Sequence, residues 1–255
     1  MADRVHLSDD CWEKLQPHVE LLARFGRKTD LRGFIEAVFW LLRTGCPWRD
    51  LHGCFGRWSK IYRRFRRWAV AGRWEALHHR LCESLPEIAV LLLDSTAVRA
   101  HIHAAGAAGG QQHQALGRSR GGFGTKIHAS VSEGGRLLSV AFTGAECSDV
   151  TQAETLLASA GVSCLAVIGD KGYDSDRLVQ AIEQRGARAV IPSRKGRCCP
   201  RTLDCGLYRL RNVIERFFGR LKQFRRIATR YDKTVGSFAG FLFVAVSVMM
   251  QGGWC

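Results

Sequence analysis

The chain has 255 residues, enough for one large domain or for a medium and a small one, and its 46% hydrophobic content supplies a real core and excludes a disordered tail protein. Its 38 Lys and Arg against 23 Asp and Glu leave a formal charge of +15, which points to a polyanionic partner, nucleic acid before an anionic membrane surface. The longest apolar run, Phe238 to Met250, has 13 residues, too few to cross a bilayer, and the opening MADRVHLSDD carries no apolar leader, so a cytoplasmic protein with its ten cysteines as free thiols is expected.

The charge is unevenly placed: residues 1–86 carry net +6, residues 87–193 net −1 and residues 194–255 net +10. Arginine supplies 30 of the 38 cations. Arg suits bidentate phosphate contacts, but a GC-rich genome produces the same bias, so position says more than composition.

Residues 8–83 read as helical throughout. Ser8 or Asp9 caps a first helix, and Asp30 precedes a second over Leu31 to Thr44, which Gly45-Cys46-Pro47 stops. A short helix over Trp48 to Phe55 follows, then a patterned segment from Arg57 to Ala71, in which Trp58, Ile61, Phe65 and Trp68 recur at helical spacing. Arg57, Lys60, Arg63, Arg64 and Arg67 decorate the rest of that helix. The outline is that of a helix-turn-helix unit, although a solvated basic face on an amphipathic helix would look the same.

From residue 87 the period changes. Ile88 to Leu93 is a continuous apolar run ending at Asp94, as a buried strand would. The Gly/Ala/Gln-rich stretch 104–124 reads as a mobile loop, and Lys126 to Val131 with Leu137 to Phe142 form a hairpin around Gly134-Gly135. A helix follows over Thr151 to Ala160, capped by Ser148 or Asp149. Then come a buried strand from Cys164 to Ile168 ending at Gly169-Asp170, a helix from Asp174 to Arg185 and a strand from Arg188 to Ile191. A basic, Cys-containing loop over 193–206 leads to a long helix from Leu207 to about Arg226 and a last apolar helix from Phe238 to Met250. This order predicts a helical DNA-binding domain over 1–86 and, over 87–255, a mixed α/β domain of the RNase H-like kind. Fold alone does not assign a function.

Three acids are candidates for chemistry. Asp94 and Asp170 end strands, where α/β sites gather, and Glu215 stands among cations in RLRNVIERFFGRLKQFRR. Phosphodiester cleavage and joining are served by two Mg2+ ions about 4 Å apart that clustered carboxylates hold. Each acid also has an ordinary reading: a turn cap for Asp94, a strand-end turn for Asp170, and an ion pair with Arg211 at helical spacing for Glu215. Tyr208, Arg211, Glu215 and Lys222 are separated by 3, 4 and 7 residues, which predicts one shared helical face.

That segment, Tyr208-x2-Arg211-x3-Glu215-x6-Lys222, matches the Y-(2)-R-(3)-E-(6)-K signature of bacterial insertion-sequence DDE transposases at every position. LLLDST around Asp94 and IGDKGYDS around Asp170 are similar to the first and second acid motifs of that superfamily. KQFRRIATRYDK, GCPWRDL and YRRFRRW resemble its insertion-sequence five branch, so the likeness runs from about Leu7 to Met250. The resemblance implies Asp94, Asp170 and Glu215 as catalytic, metal-binding residues for Mg2+, with Mn2+ as a substitute. It implies phosphate contacts from Tyr208, Arg211 and Lys222. The expected partner is double-stranded DNA, both the element's terminal inverted repeats and the target, handled by at least a homodimer; no membrane is involved. Cys198-Cys199-Pro200 with Cys205 does not match that pattern, and lacks both a CxxC pair and a fourth ligand for zinc. His101, His103 and His113 read as solvated or phosphate-contacting. Two rivals keep the same fold: an inactive DNA-binding or repressor relative, and a simple nuclease.

Overall fold

A computed structural model describes residues 7–23, 30–83 and 88–251. Its first elements are α1 (Asp9–Leu22), α2 (Leu31–Thr44), two single 3-10 turns (Trp48–Asp50 and Gly53–Phe55), α3 (Trp58–Val70) and α4 (Arg73–Cys82). Then follow β1 (Val90–Ala100), α5 (Gly110–His113), β2 (Gly117–Ser119), β3 (Gly122–Ser132), β4 (Leu137–Gly144), α6 (Val150–Ala160), β5 (Ala166–Ile168), α7 (Asp176–Glu183) and β6 (Arg188–Val190). The chain closes with α8 (Cys205–Tyr208), α9 (Asn212–Leu221), α10 (Arg225–Ala228) and α11 (Val235–Met250).

These elements pack as two compact units: the described residues of Met1–Leu85, His101–Ala107 and Leu221–Cys255, and those of Pro86–Ala100 and Ala108–Arg220. The units therefore do not follow the linear boundary at residue 86 that the change of period suggests. The reason lies in α11, which is apolar on every side and cannot be a surface helix. It lies against α2, α3 and α4, whose apolar faces surround it.

In this helical unit the local signals act as written. Ser8 caps α1 by accepting from the Cys11 amide at 3.2 Å, and Asp30 caps α2 by accepting from the Gly33 amide at 2.7 Å. Gly45 ends α2 in the left-handed region at φ 69°, with its amide on the Leu41 carbonyl at 2.9 Å. The core is aromatic: Phe65 meets Phe241 with ring centroids 4.4 Å apart, and Trp74 meets Trp68 at 4.8 Å. Gly240 permits this approach, because a Cβ there would stand 2.9 Å from the Trp74 ring. Arg226, 3% exposed, donates two bonds to Asp232, at 3.3 Å (Nε to Oδ2) and 3.1 Å (Nη2 to Oδ1), and lies over the Phe241 ring. A buried charge with its partner and its donors satisfied is what such a core tolerates.

The second unit is built on one sheet. β1 runs antiparallel to β3 and parallel to β5; β4 pairs the other edge of β3, and β6 runs parallel to β5. The order is thus β4-β3-β1-β5-β6, with β2 continuing the β4 edge of β3. Three antiparallel strands followed by two parallel ones, the latter entered through α6 and α7, is the RNase H-like arrangement. Its core on one side is aliphatic, with Leu91, Leu93, Leu156, Val167, Leu178 and Ile182 packed together.

Several expectations are corrected here. β1 continues to Ala100 instead of ending at Asp94, because β3 pairs it as far as Arg99 opposite Gly124. Part of the Gly-rich stretch 104–124 is ordered as α5, β2 and the start of β3. Glycine serves close approach there: a side chain at Gly124 would collide with the Val98 carbonyl. Trp48 to Phe55 forms two separate 3-10 turns and not one helix. The long helix expected from Leu207 to Arg226 has a 3-10 turn at Arg209–Arg211 and stops at Leu221, since Phe224 adopts an extended conformation and buries its ring beside Phe39.

Candidate active site

Strand register brings the first two acids together. Leu92 of β1 aligns with Ile168 of β5, and Asp94 and Asp170 each stand two residues further along. Neighbouring strands lie about 4.8 Å apart, so equal offsets from an aligned pair put two side chains side by side on one face. Asp94 accepts from the Ser95 amide at 2.8 Å. Asp170 remains extended and accepts from the Gly172 amide at 2.7 Å, closing the single 3-10 turn Lys171–Tyr173.

Arg211 links these strands to α9. Its guanidinium stands 3.7 Å from Asp94 Oδ2 and is hydrogen-bonded to Glu215, one helical turn on. Arg211 thus stands between Asp94 and Glu215, and the ordinary pairing of Glu215 with it is the one present. Burial pushes the Asp94 carboxyl up to about 6, with the Asp170 and Asp149 carboxylates adding to the rise and the Ser95 amide and Arg211 opposing it. Burial likewise raises the Tyr208 hydroxyl, which feels Arg211 and the carboxylates of Asp170, Glu215 and Asp94. Tyr173 is fully buried beside Asp149, Asp94 and Asp170, and its hydroxyl has no hydrogen-bond partner.

Asp149, expected alongside Ser148 as a cap of α6, stands at the N-cap position of that helix. Its side chain makes no capping bond to α6. It accepts instead from Ser95 Oγ at 2.6 Å and from Lys126 Nζ at 3.0 Å, and so holds the strand residue next to Asp94. The AECSDVTQAE context gives no hint of this, because Ser95 and Lys126 reach Asp149 only through the pairing of β1 with β3. Lys222, expected on the face of Tyr208, Arg211 and Glu215, lies in the turn after α9 ends.

Among the described residues no three Asp, Glu, His or Cys side chains converge as a metal-holding group. The donors themselves suit a hard divalent cation, since Asp94 and Asp170 are adjacent carboxylates whose mutual repulsion a cation relieves. Glu215, half exposed, has its carboxylate on Arg211.

The basic residues expected to meet DNA divide by environment. Arg57, Lys60, Arg63 and Arg67 are exposed on or just before α3. Arg64 instead lies over the Phe34 ring at 4.4 Å, and burial lowers its pKa. Arg66, passed over in the sequence, is exposed and lines an open groove of about 1040 Å³ with Lys60, Arg63, Arg64 and Arg67.

A mixed sheet of this order is an RNase H-like fold, and Asp94 and Asp170 lie where its two neighbouring parallel strands run out. Residues 85–250 match the family described as "Transposase DDE domain", and residues 7–78 match "Putative transposase of IS4/5 family". The chain belongs to the DDE transposases, as a transposase of an insertion sequence. It is 39% identical over 127 residues to "Putative transposase for insertion sequence element IS6501" of Brucella ovis, covering 49% of this chain and 96% of that one. It is 32% identical over 129 residues to "Putative transposase for insertion sequence element IS402" of Burkholderia cepacia, covering 47% and 59%. Among solved structures, a piggyBac transposase synaptic complex with hairpin DNA aligns at TM-score 0.42 and 13% identity, over 77% of this chain and 51% of that one. A pre-cleavage Mos1 transpososome aligns at TM-score 0.29 and 10% identity, over 91% and 82%. No helix among the described residues is long and apolar enough to cross a membrane.

Proposed function

We propose that this transposase binds the terminal inverted repeats of its element, cleaves at the element ends in a Mg2+-dependent reaction and joins the freed 3′-hydroxyl to target DNA. The observation that carries this reading is the alignment of β1 with β5, beyond whose last pair Asp94 and Asp170 lie near each other, with Arg211 between Asp94 and Glu215. Asp94 and Asp170 would hold the divalent ion, and Glu215 would join them once Arg211 releases it. Such an ion supplies neutralisation of the non-bridging phosphate oxygens and activation of the attacking water.

This chain's residues do the rest. Arg211 is the cation among the acids before DNA arrives, and a phosphate oxygen competes for the same guanidinium fork. Transfer of Arg211 from Glu215 to phosphate frees the carboxylate and fixes the strand in one event. Tyr208, one turn before Arg211, and Lys222 are the further phosphate contacts. Residues 1–86 serve as the DNA-binding domain, with α2, the 3-10 turns and α3 as its helix-turn-helix-like element. Arg57, Lys60, Arg63 and Arg67, with Arg66 beside them, track the backbone, while Arg64 contributes mainly by packing. The α/β unit, the described residues of Pro86–Ala100 and Ala108–Arg220, serves as the catalytic domain. Action on two ends calls for at least a dimer, and the protein works in the cytoplasm on the nucleoid.

The test is end cleavage of a labelled duplex of the element's own terminus, with Mg2+, Mn2+ or EDTA. Nicking at the element boundary in Mg2+, lost by at least ~10³-fold in Asp94→Ala, Asp170→Ala and Glu215→Ala with end binding retained, is the expected result. Cleavage that survives all three substitutions would sink the assignment. Binding without cleavage in any divalent ion would support the DNA-binding repressor reading.

A further inference from the structure

The basic loop that follows β6 matches no expected motif, yet it is tied to the turn that carries Asp170. Arg194 Nε donates to the Lys171 carbonyl at 3.1 Å, and its Nη2 donates to the Gly172 carbonyl at 2.8 Å. The backbone amide of the same residue donates to Asp174 Oδ2 at 2.8 Å. One residue therefore grips three points of the four that follow Asp170. The turn also holds the acid itself: Gly172 N–H donates to Asp170 Oδ1 at 2.7 Å, and Tyr173 N–H to the Asp170 carbonyl at 3.0 Å. A Cβ on Gly172 would stand 2.8 Å from Asp170 Oδ1 and 3.7 Å from Asp149 Oδ2, so the two carboxylates share this turn.

The grip is anchored from behind. Asp174, with its side chain only 1% exposed, accepts from Arg197 Nη1 at 2.9 Å and from Arg201, and Asp176 accepts from the other nitrogens of the same two arginines. Arg201 N–H also donates to Ser193 Oγ at 2.8 Å, which closes the loop on itself. Four cations and carboxylates arranged this way hold backbone, and none of them is an acid of the centre.

We propose that Arg194 is a positioning residue for Asp170, and that the Asp174, Asp176, Arg197 and Arg201 network keeps it in place. A planar guanidinium can span two successive carbonyls, whereas an ammonium on a flexible stem meets one at a time. The Gly172 carbonyl, left without a helical partner where the single 3-10 turn ends, takes Arg194 Nη2, and the Lys171 carbonyl takes Nε beside the Asp174 amide. Residues that orient such acids carry typically 10–100-fold of affinity or activity. Arg194 is exposed, so its truncation opens no cavity in the core.

The inference rests on the reading of Asp170 as a working acid, and the experiment separates the two. Hydrogen exchange is followed at the Gly172 and Tyr173 amides of the full chain, beside end cleavage at saturating Mg2+ and end binding in EDTA. Arg194→Ala is expected to speed exchange at both amides at least ~10-fold, to slow cleavage ~10–100-fold, and to leave end binding and the β1–β3 amides unchanged. Arg194→Lys, which keeps the charge and loses the fork, is expected to behave like Arg194→Ala. Wild-type exchange and cleavage in Arg194→Ala would overturn the proposal, as would full activity in Arg194→Lys. So would weakened end binding with unchanged Gly172 exchange, which makes Arg194 a phosphate contact. If Asp170→Ala itself cleaves normally, the fault lies with the reading of the acid and not with the grip on its turn.

Discussion

The helical unit and the α/β unit solve packing in opposite ways. In the first, interlocked rings around α11 form the core, and even buried arginines are absorbed, Arg226 over Phe241 and Arg230 over Phe238. In the second, small aliphatic side chains cover a sheet on which acids, and not cations, are the buried charges. Aromatic faces accept a guanidinium, whereas adjacent carboxylates on a sheet repel one another and lose solvation. Both units hold a desolvated charge, since burial lowers the Arg230 guanidinium to about 10 as it raises the Asp94 carboxyl to about 6, but only the second sets its charge beside like charges, where its chemistry is expected.

Three measurements break or sharpen that contrast. The largest effect is expected from Trp74→Ala, which empties the ring cluster with Phe34, Phe65 and Trp68 and costs about 3–5 kcal/mol. Native-state hydrogen exchange should show the loss at α11 amides while the β1–β3 ladder holds its protection. An equal loss in both would dissolve the distinction between the two cores.

Asp94→Asn tests the penalty. The folded pKa of about 6 lies above the ordinary carboxylate value, so the folded state binds the proton more tightly than the unfolded chain. The penalty thus builds as pH rises from about 4, where the unfolded carboxyl ionises, to about 6, is full above that, and is gone only below about pH 3, where both states are protonated. Without divalent ions, the substitution should stabilise the protein by about 1–2 kcal/mol at pH 7 and by almost nothing at about pH 3. Urea denaturation at the two pH values decides it, and a destabilised Asn variant at pH 7 would mean that the acid is well compensated.

The smallest effects separate two arginines of one helix. Arg67→Ala should reduce the salt slope of end binding by about one and leave stability unchanged. Arg64→Ala should leave that slope alone and cost about 0.5–1 kcal/mol through its lost packing on Phe34. Reversed roles would place the DNA-facing side of α3 elsewhere.

Much of this was legible along the chain. Caps at Ser8 and Asp30, the stop at Gly45 and the β3–β4 hairpin are local events, settled by neighbouring atoms. Asp94 and Asp170 stood out because apolar runs led to them. Asp149 did not, since its partners Ser95 and Lys126 come from β1 and β3 and nothing near it in sequence announces them. Arg194 was one cation in a basic loop until its carbonyl partners 22 and 23 residues away were in view.

The order of helices and strands, the family signature and the two basic ends follow from the amino-acid sequence by itself, because periodicity, capping and composition act over a few residues. Three matters were decided only in three dimensions. The register that sets Asp94 beside Asp170 depends on strand pairing across more than 70 residues. The allegiance of α11 to the N-terminal helices depends on which apolar faces could close around a helix with no polar side. The end of α9 at Leu221 depends on where Phe224 found its pocket, since burial of one ring outweighs the helical preference of the residues before it.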